Sequence, residues 1–124
     1  MNIVLWIAAS VLALVFFASG LSKIVQPREK IIASGFAWAE DFSPTHVKLI
    51  GLVEVLGAVG LVLPPALGIV EVLSPLAAAG LALVMVVAAV VHIRRDELKF
   101  LAGPFALGAV AMAVAALRFG TYSF

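Results

Sequence analysis

The stretch Ser43-Pro44-Thr45-His46-Val47-Lys48-Leu49-Ile50-Gly51-Leu52-Val53-Glu54-Val55-Leu56-Gly57-Ala58-Val59-Gly60-Leu61-Val62-Leu63-Pro64-Pro65 decides the fold. It opens with a serine able to cap a helix and a proline at the first helical position, where the missing N–H costs nothing. It closes on two prolines, which predict a stop. Between them lie about twenty residues, enough to cross about 30 Å of hydrocarbon as a helix. Only Glu54 is charged after Lys48. A backbone in lipid has to satisfy its own hydrogen bonds, so an apolar run of this length predicts a transmembrane helix over 44–63.

The same reading extends outward in both directions. Residues 3–24 are apolar up to Lys23, residues 75–93 follow Ser74-Pro75 and stop before Arg94-Arg95-Asp96-Glu97, and residues 100–119 carry Gly103-Pro104 at their start. The chain is 65% hydrophobic and only 12% charged, about half the usual charged fraction, and its mean hydropathy is +1.23. In water it would expose large apolar patches. The expected fold is an all-α, integral membrane bundle of four transmembrane helices, forming a single domain over 1–124. The first run lacks a positive leading region and is expected to remain as a span rather than be cleaved as a signal. The alternation of a membrane β-barrel is absent.

The long connection lies between the first and second spans. After Pro27, residues Ile31, Ile32, Phe36 and Ala39 recur at helical spacing beside Arg28, Glu29, Lys30, Glu40 and Asp41. This predicts a short amphipathic helix in the headgroup region, with Phe36 and Trp38 dipping inward. The functional alternative for segment 27–42 is a lid or a docking surface for a membrane or membrane-associated protein. Seven basic residues (Lys23, Arg28, Lys30, Lys48, Arg94, Arg95, Lys99) fall on one side of the four spans and Arg118 on the other. The positive-inside rule then expects loops 25–45 and 94–99 in the cytoplasm and both termini outside, in a bacterial cytoplasmic membrane. Trp6 and Tyr122 would mark the outer interface, Trp38 the inner one.

Chemistry has to come from the few polar residues within the spans. Glu54 lies about 15 Å along its helix from Pro44, near the bilayer midplane, where an ionised carboxylate costs roughly 2.5–3.5 kcal/mol on insertion scales. It is therefore expected to face the bundle interior, paired or protonated. Gly51, Gly57, Ala58 and Gly60 near the same face would let another helix approach. Lys23, His92 and Arg118, one from each other span, are the groups able to answer it. Side chains lean towards their helix N-terminus, so Lys23 and His92 lean into the membrane and Glu54 towards them. A buried polar cluster of Lys23, Glu54, His92 and Arg118 is the candidate site. The plain alternatives are snorkelling anchors for Lys23 and Arg118, a helix-end role for His92 and a structural salt bridge for Glu54. Glu71 is expected to be solvated or paired with Arg118.

Several functions are excluded or disfavoured. The absence of cysteine removes disulfides, thiolate metal sites and Cys-x-x-Cys relays carried by this chain alone. A net charge of +1 without a basic run gives no ground for nucleic-acid binding. His46 and His92 allow a bis-imidazole site, but two histidines outside any motif do not establish one, and no metal is expected. No phosphate loop or nucleophile motif occurs.

Ser19-Gly20-Leu21-Ser22-Lys23 resembles the A-S-G-x-x-K signature of DoxX-like membrane proteins. Residues Gly51 to Leu61 with Leu63-Pro64 are similar to their G-x-x-E-x-x-G-A-x-G-L…P pattern. Ala82-Leu83-Val84-Met85 leading to His92, and the closing Arg118-Phe119-Gly120, resemble further family landmarks. The resemblance implies a four-helix membrane protein whose matching polar landmarks are Lys23, Glu54, His92 and Arg118. Some members of the family are subunits of quinone-linked sulfur oxidoreductases or of complexes handling oxidative stress, and distant relatives assist receptor assembly. Three functions follow as expectations. The first is a non-catalytic accessory or assembly subunit of a membrane complex, not an enzyme on its own. The second is a quinone-linked oxidoreductase subunit, with Glu54 and His92 exchanging protons and Lys23 tuning them; quinone is then the candidate cofactor. The third is a proton-coupled carrier of a small solute, which four short spans would favour only in a homo-oligomer.

Overall fold

A computed structural model describes residues 2–33, 35–120 and 122–123. The described residues form five α-helices, α1 (Asn2–Val25), α2 (Arg28–Ala33), α3 (Pro44–Leu67), α4 (Leu73–Arg94) and α5 (Ala102–Phe119), with 3-10 turns at Ala37–Asp41 and Leu98–Phe100. No strand occurs among the described residues. Helices α1, α3 and α4, and the stretch from the second 3-10 turn through α5, are each long and apolar enough to cross a membrane. They run up and down in sequence order, so that α1 and α5 meet at the end of the bundle that holds both termini. Apolar side chains such as Ile3, Leu14, Leu56, Leu83 and Phe105 stand more than half exposed around the outside, the surface that lipid covers.

The helix boundaries show how polar backbone groups are handled. Ser43 caps α3 as predicted, its Oγ accepting from the His46 backbone N–H at 3.2 Å. The predicted stop at Pro64-Pro65 is displaced: α3 runs on to Leu67 and ends at Gly68, which is left-handed at φ 70°. Both prolines fit the last turn, where Gly68 and Ile69 N–H groups reach back to Pro65 and Pro64 carbonyls. Pro65 has no N–H for the Leu61 carbonyl one turn earlier. The Ser74 hydroxyl supplies it, donating at 2.6 Å from a fully buried position. Ser74 was expected as the cap of the third span; it lies instead inside the first turn of α4, with Val72 at the cap. Gly103-Pro104 falls in the first turn of α5 and starts it rather than kinking it.

The amphipathic helix expected between the first two spans is shorter than predicted. It breaks after α2; Gly35 takes φ 105°, a value that favours glycine, and the chain resumes as the 3-10 turn. Ile31, Ala39 and Val47 form a small second core there, with Ile32, Trp38 and Phe42 against it. Arg28 Nη1 donates to the Phe42 carbonyl at 2.9 Å, closing the segment on itself.

The main core is confined to one half of the bundle. Leu5, Ala9, Leu12 and Phe16 of α1 meet Ala58 and Leu61 of α3, Ala78, Leu81 and Ala82 of α4, and Ala111, Val114 and Ala115 of α5. All but Phe16, just past the middle of α1, lie in the half nearer the termini. In the other half, α4 after Ala82 and α5 before Ala111 contribute no buried residue. There α1 and α3 stay together while α4 and α5 form a separate pair.

Candidate functional site

Two glycines set the α1–α3 crossing. A Cβ on Gly20 would lie 2.5 Å from the Gly51 carbonyl oxygen, and one on Gly51 would lie 2.6 Å from the Gly20 oxygen and 2.8 Å from Lys23 Cβ. Only glycine at both positions permits this approach. One turn beyond each glycine, Lys23 and Glu54 are brought together. Lys23 Nζ stands 2.9 Å from Glu54 Oε1, with the two side chains 13% and 3% exposed. Nζ also donates to Ser19 Oγ at 2.6 Å and lies 5.7 Å from the centre of the Trp38 ring. Glu54 Oε2 has no hydrogen-bond partner among the described residues.

His92, in the last turn of α4, occupies the facing side. Its Nδ1 is 3.0 Å from Glu97 Oε1, and its ring lies 5.7 Å from that of Phe100. Arg95 Nε reaches the other Glu97 oxygen at 3.3 Å, and Arg95 Nη1 donates to Asp41 Oδ2 at 2.8 Å. The loop after α4 is thereby tied to the 3-10 turn after α2. The His92 hydrogen bond, and then Arg95, hold the Glu97 carboxyl below its ordinary range. The Asp41 hydrogen bond raises Arg95 above its own. A carboxylate accepts only, so the proton of this pair sits on His92 Nδ1.

Lys23, Glu54 and His92 line one cavity of about 690 Å³ in the half of the bundle away from the main core. Most of its remaining wall is apolar, with Val53 of α3, Val84 and Ala88 of α4 and Leu107 of α5, and Phe36, Trp38, Phe42 and Phe100 line it at the loop end; Ser19 and Glu97 are also on it. His46 also lies on its wall, bonded through Nδ1 to Ser43 Oγ at 2.8 Å. The volume falls within the range of small-molecule pockets, and a mainly apolar wall with a few convergent polar groups is their usual form.

Arg118 does not join this group. It is expected from the sequence as one of the groups able to answer Glu54. Its Nη1 donates instead to Asn2 Oδ1 at 2.6 Å and to the Tyr122 carbonyl at 2.9 Å, and its guanidinium lies 5.9 Å from the Trp6 ring centre. Asn2 and Lys23 are about 30 Å apart along α1 at helical rise. Glu71 lies in the α3–α4 turn, partly exposed. The small residues of α3 also divide between two neighbours: Gly51 faces α1, whereas Gly57 packs on Leu81 and Gly60 on Ala77 of α4. Glu97, Ser19 and Trp38 were not singled out as site residues from the sequence. Ser19 gave a signal in being one turn before Lys23, and Trp38 in the inward dip expected of it.

Neither the curated proteins nor the solved structures contain a match to the chain. The model of the DoxX-like family matches residues 7–114, which takes in Lys23, Glu54 and His92, the whole of α3 and α4 and most of α1 and α5. The chain belongs to the DoxX-like family.

Proposed function

We propose that this protein is a small accessory subunit of a membrane complex that holds a lipophilic, quinone-type molecule in the cavity beside Glu54. The observation that carries the reading is the cavity itself. Its wall is apolar enough for a ring and tail, and Lys23, Glu54 and His92 are the polar groups that would meet oxygen atoms of a headgroup. The Ser19 hydroxyl, bonded to Lys23 Nζ, stands beside them. In this reading the subunit binds and positions its ligand while a partner performs the chemistry. The packed core of the terminal half stands across the straight route through the bundle, which counts against a solute carrier.

The seven basic residues around the cavity end favour a cytoplasmic location for that end, in a bacterial cytoplasmic membrane, with both termini outside. Segment 27–42 is then the surface offered to a cytoplasmic partner. Since the chain has no cysteine, single cysteines at Asn2 and Ser123 can be labelled from outside intact cells. Protection of both from an impermeant reagent would reverse this orientation.

The chain has two tryptophans, and Trp38 lies on the cavity. In Trp6→Phe protein reconstituted in nanodiscs, a short-tailed benzoquinone should quench Trp38 with a saturable profile. In Trp38→Phe protein, Trp6 should report only the linear quenching of a quinone dissolved in lipid. Linear quenching in both proteins would refute the reading.

A further inference from the structure

We infer that the cavity selects hydroxylic headgroups, a hydroquinone or a phenol, over their carbonyl or ether counterparts, with His92 Nε2 as the acceptor. This rests on the cavity being a ligand site, and it adds the form of ligand taken. The loop after α4 fixes the imidazole. Glu97 Oε1 lies 3.0 Å from Nδ1, and the second Glu97 oxygen is 3.3 Å from Arg95 Nε as an ion pair without hydrogen-bond geometry. Both carboxylate oxygens are thus engaged, and Glu97 can only accept from the ring. A neutral imidazole with its proton committed to Nδ1 carries a lone pair on Nε2. Nε2 has no hydrogen-bond partner among the described residues, and His92 lines the cavity with 14% of its side chain still exposed. A ligand O–H satisfies that lone pair. A quinone carbonyl or a methyl ether has no hydrogen to give, and would bury the nitrogen without a partner.

Glu97 is the positioning residue in this scheme. In Glu97→Gln protein the amide can either accept from Nδ1–H or donate to a bare Nδ1. Both tautomers of His92 then become available, and the preference weakens without loss of the cavity. A merely structural role for Glu97 would move the affinity for both kinds of ligand together.

The test uses 4-dodecylphenol and 4-dodecylanisole, which share ring and tail and differ by the hydroxyl hydrogen. Each is titrated against Trp38 fluorescence in Trp6→Phe protein in nanodiscs, with Glu97→Gln and His92→Phe proteins in parallel. An acceptor left unpaired costs enough to predict an about tenfold tighter dissociation constant for the phenol. The ratio should fall towards one in His92→Phe and by several fold in Glu97→Gln, where the Nε2–H tautomer can donate to the ether oxygen and anisole binding tightens. Equal binding of the two in the unaltered site would overturn the selection while leaving the cavity a ligand site. Saturable binding of neither would overturn both.

Discussion

At the scale of single residues, the pairing of Glu54 with Lys23 is the feature most sensitive to change. Two charges withdrawn from water compensate each other only as a pair, and removing one partner from a buried pair costs about 3–5 kcal/mol. Lys23→Met should therefore lower stability by about that amount in detergent unfolding, and Lys23→Met/Glu54→Leu should recover most of it. A double variant as unstable as the single one would mean that the pair is not the unit. Glu54 was legible in the sequence because a carboxylate in an apolar run has to be answered. Lys23 was legible as its answer from position and lean alone. Arg118 was misplaced because a sequence shows that a helix carries a cation but not which end of the bundle it serves. Asn2 and the carbonyl of Tyr122, its actual partners, are ordinary in composition and gave no warning.

At the scale of elements, close approach and terminal hydrogen bonds govern the outcome. Gly20→Ala places a methyl group against the Gly51 carbonyl oxygen, a backbone atom that cannot swing aside. It should separate α1 from α3, lowering the unfolding temperature and weakening the Lys23–Glu54 pair. Gly80 has nothing within 4 Å of a new Cβ, so Gly80→Ala should be neutral or stabilising by up to about 1 kcal/mol through helix propensity. Equal effects of the two would contradict the crossing. Ser74→Ala should cost about 1–3 kcal/mol by leaving the Leu61 carbonyl without its donor, and adding Pro65→Ala should restore much of it by supplying a backbone N–H. The four spans were legible from length and hydropathy, to within a few residues at most ends. The ends of α3 and α4 were not, because a proline pair in a last turn is compatible with helix when another segment supplies the missing donor. That donor, Ser74, read as a cap because the sequence does not reveal what lies opposite it.

At the scale of the molecule, two features combine: loops tied together at the basic end, and a core that fills only the other half. The Asp41–Arg95–Glu97–His92 chain has a defined pH dependence. The Glu97 carboxyl is held below its usual value in the folded protein, so its contribution to stability is present above the ordinary glutamate range near 4.3. It is lost as pH falls through the lower, folded value. Unfolding temperatures from pH 7 to pH 3 should fall more steeply in the parent protein than in Glu97→Gln; identical slopes would show the network to be idle. The hollow half was not legible, since Val84 and Ala88 have the same character as residues that pack elsewhere. Hydropathy identifies which segments enter lipid but not whether facing helices close on each other.

The claim that the bundle is packed near its termini and hollow near its basic loops is tested most directly by enlarging one alanine in each half of α4. Ala82 is buried in the core, whereas Ala88 lies on the cavity wall. The measurement is the difference in unfolding temperature between Ala82→Leu and Ala88→Leu in the same detergent. Overpacking a filled core costs about 1–3 kcal/mol, so Ala82→Leu should unfold well below the parent, and Ala88→Leu should match or exceed it by filling vacant space. Equal destabilisation by the two substitutions would show that the cavity is already filled by protein, and would contradict the account.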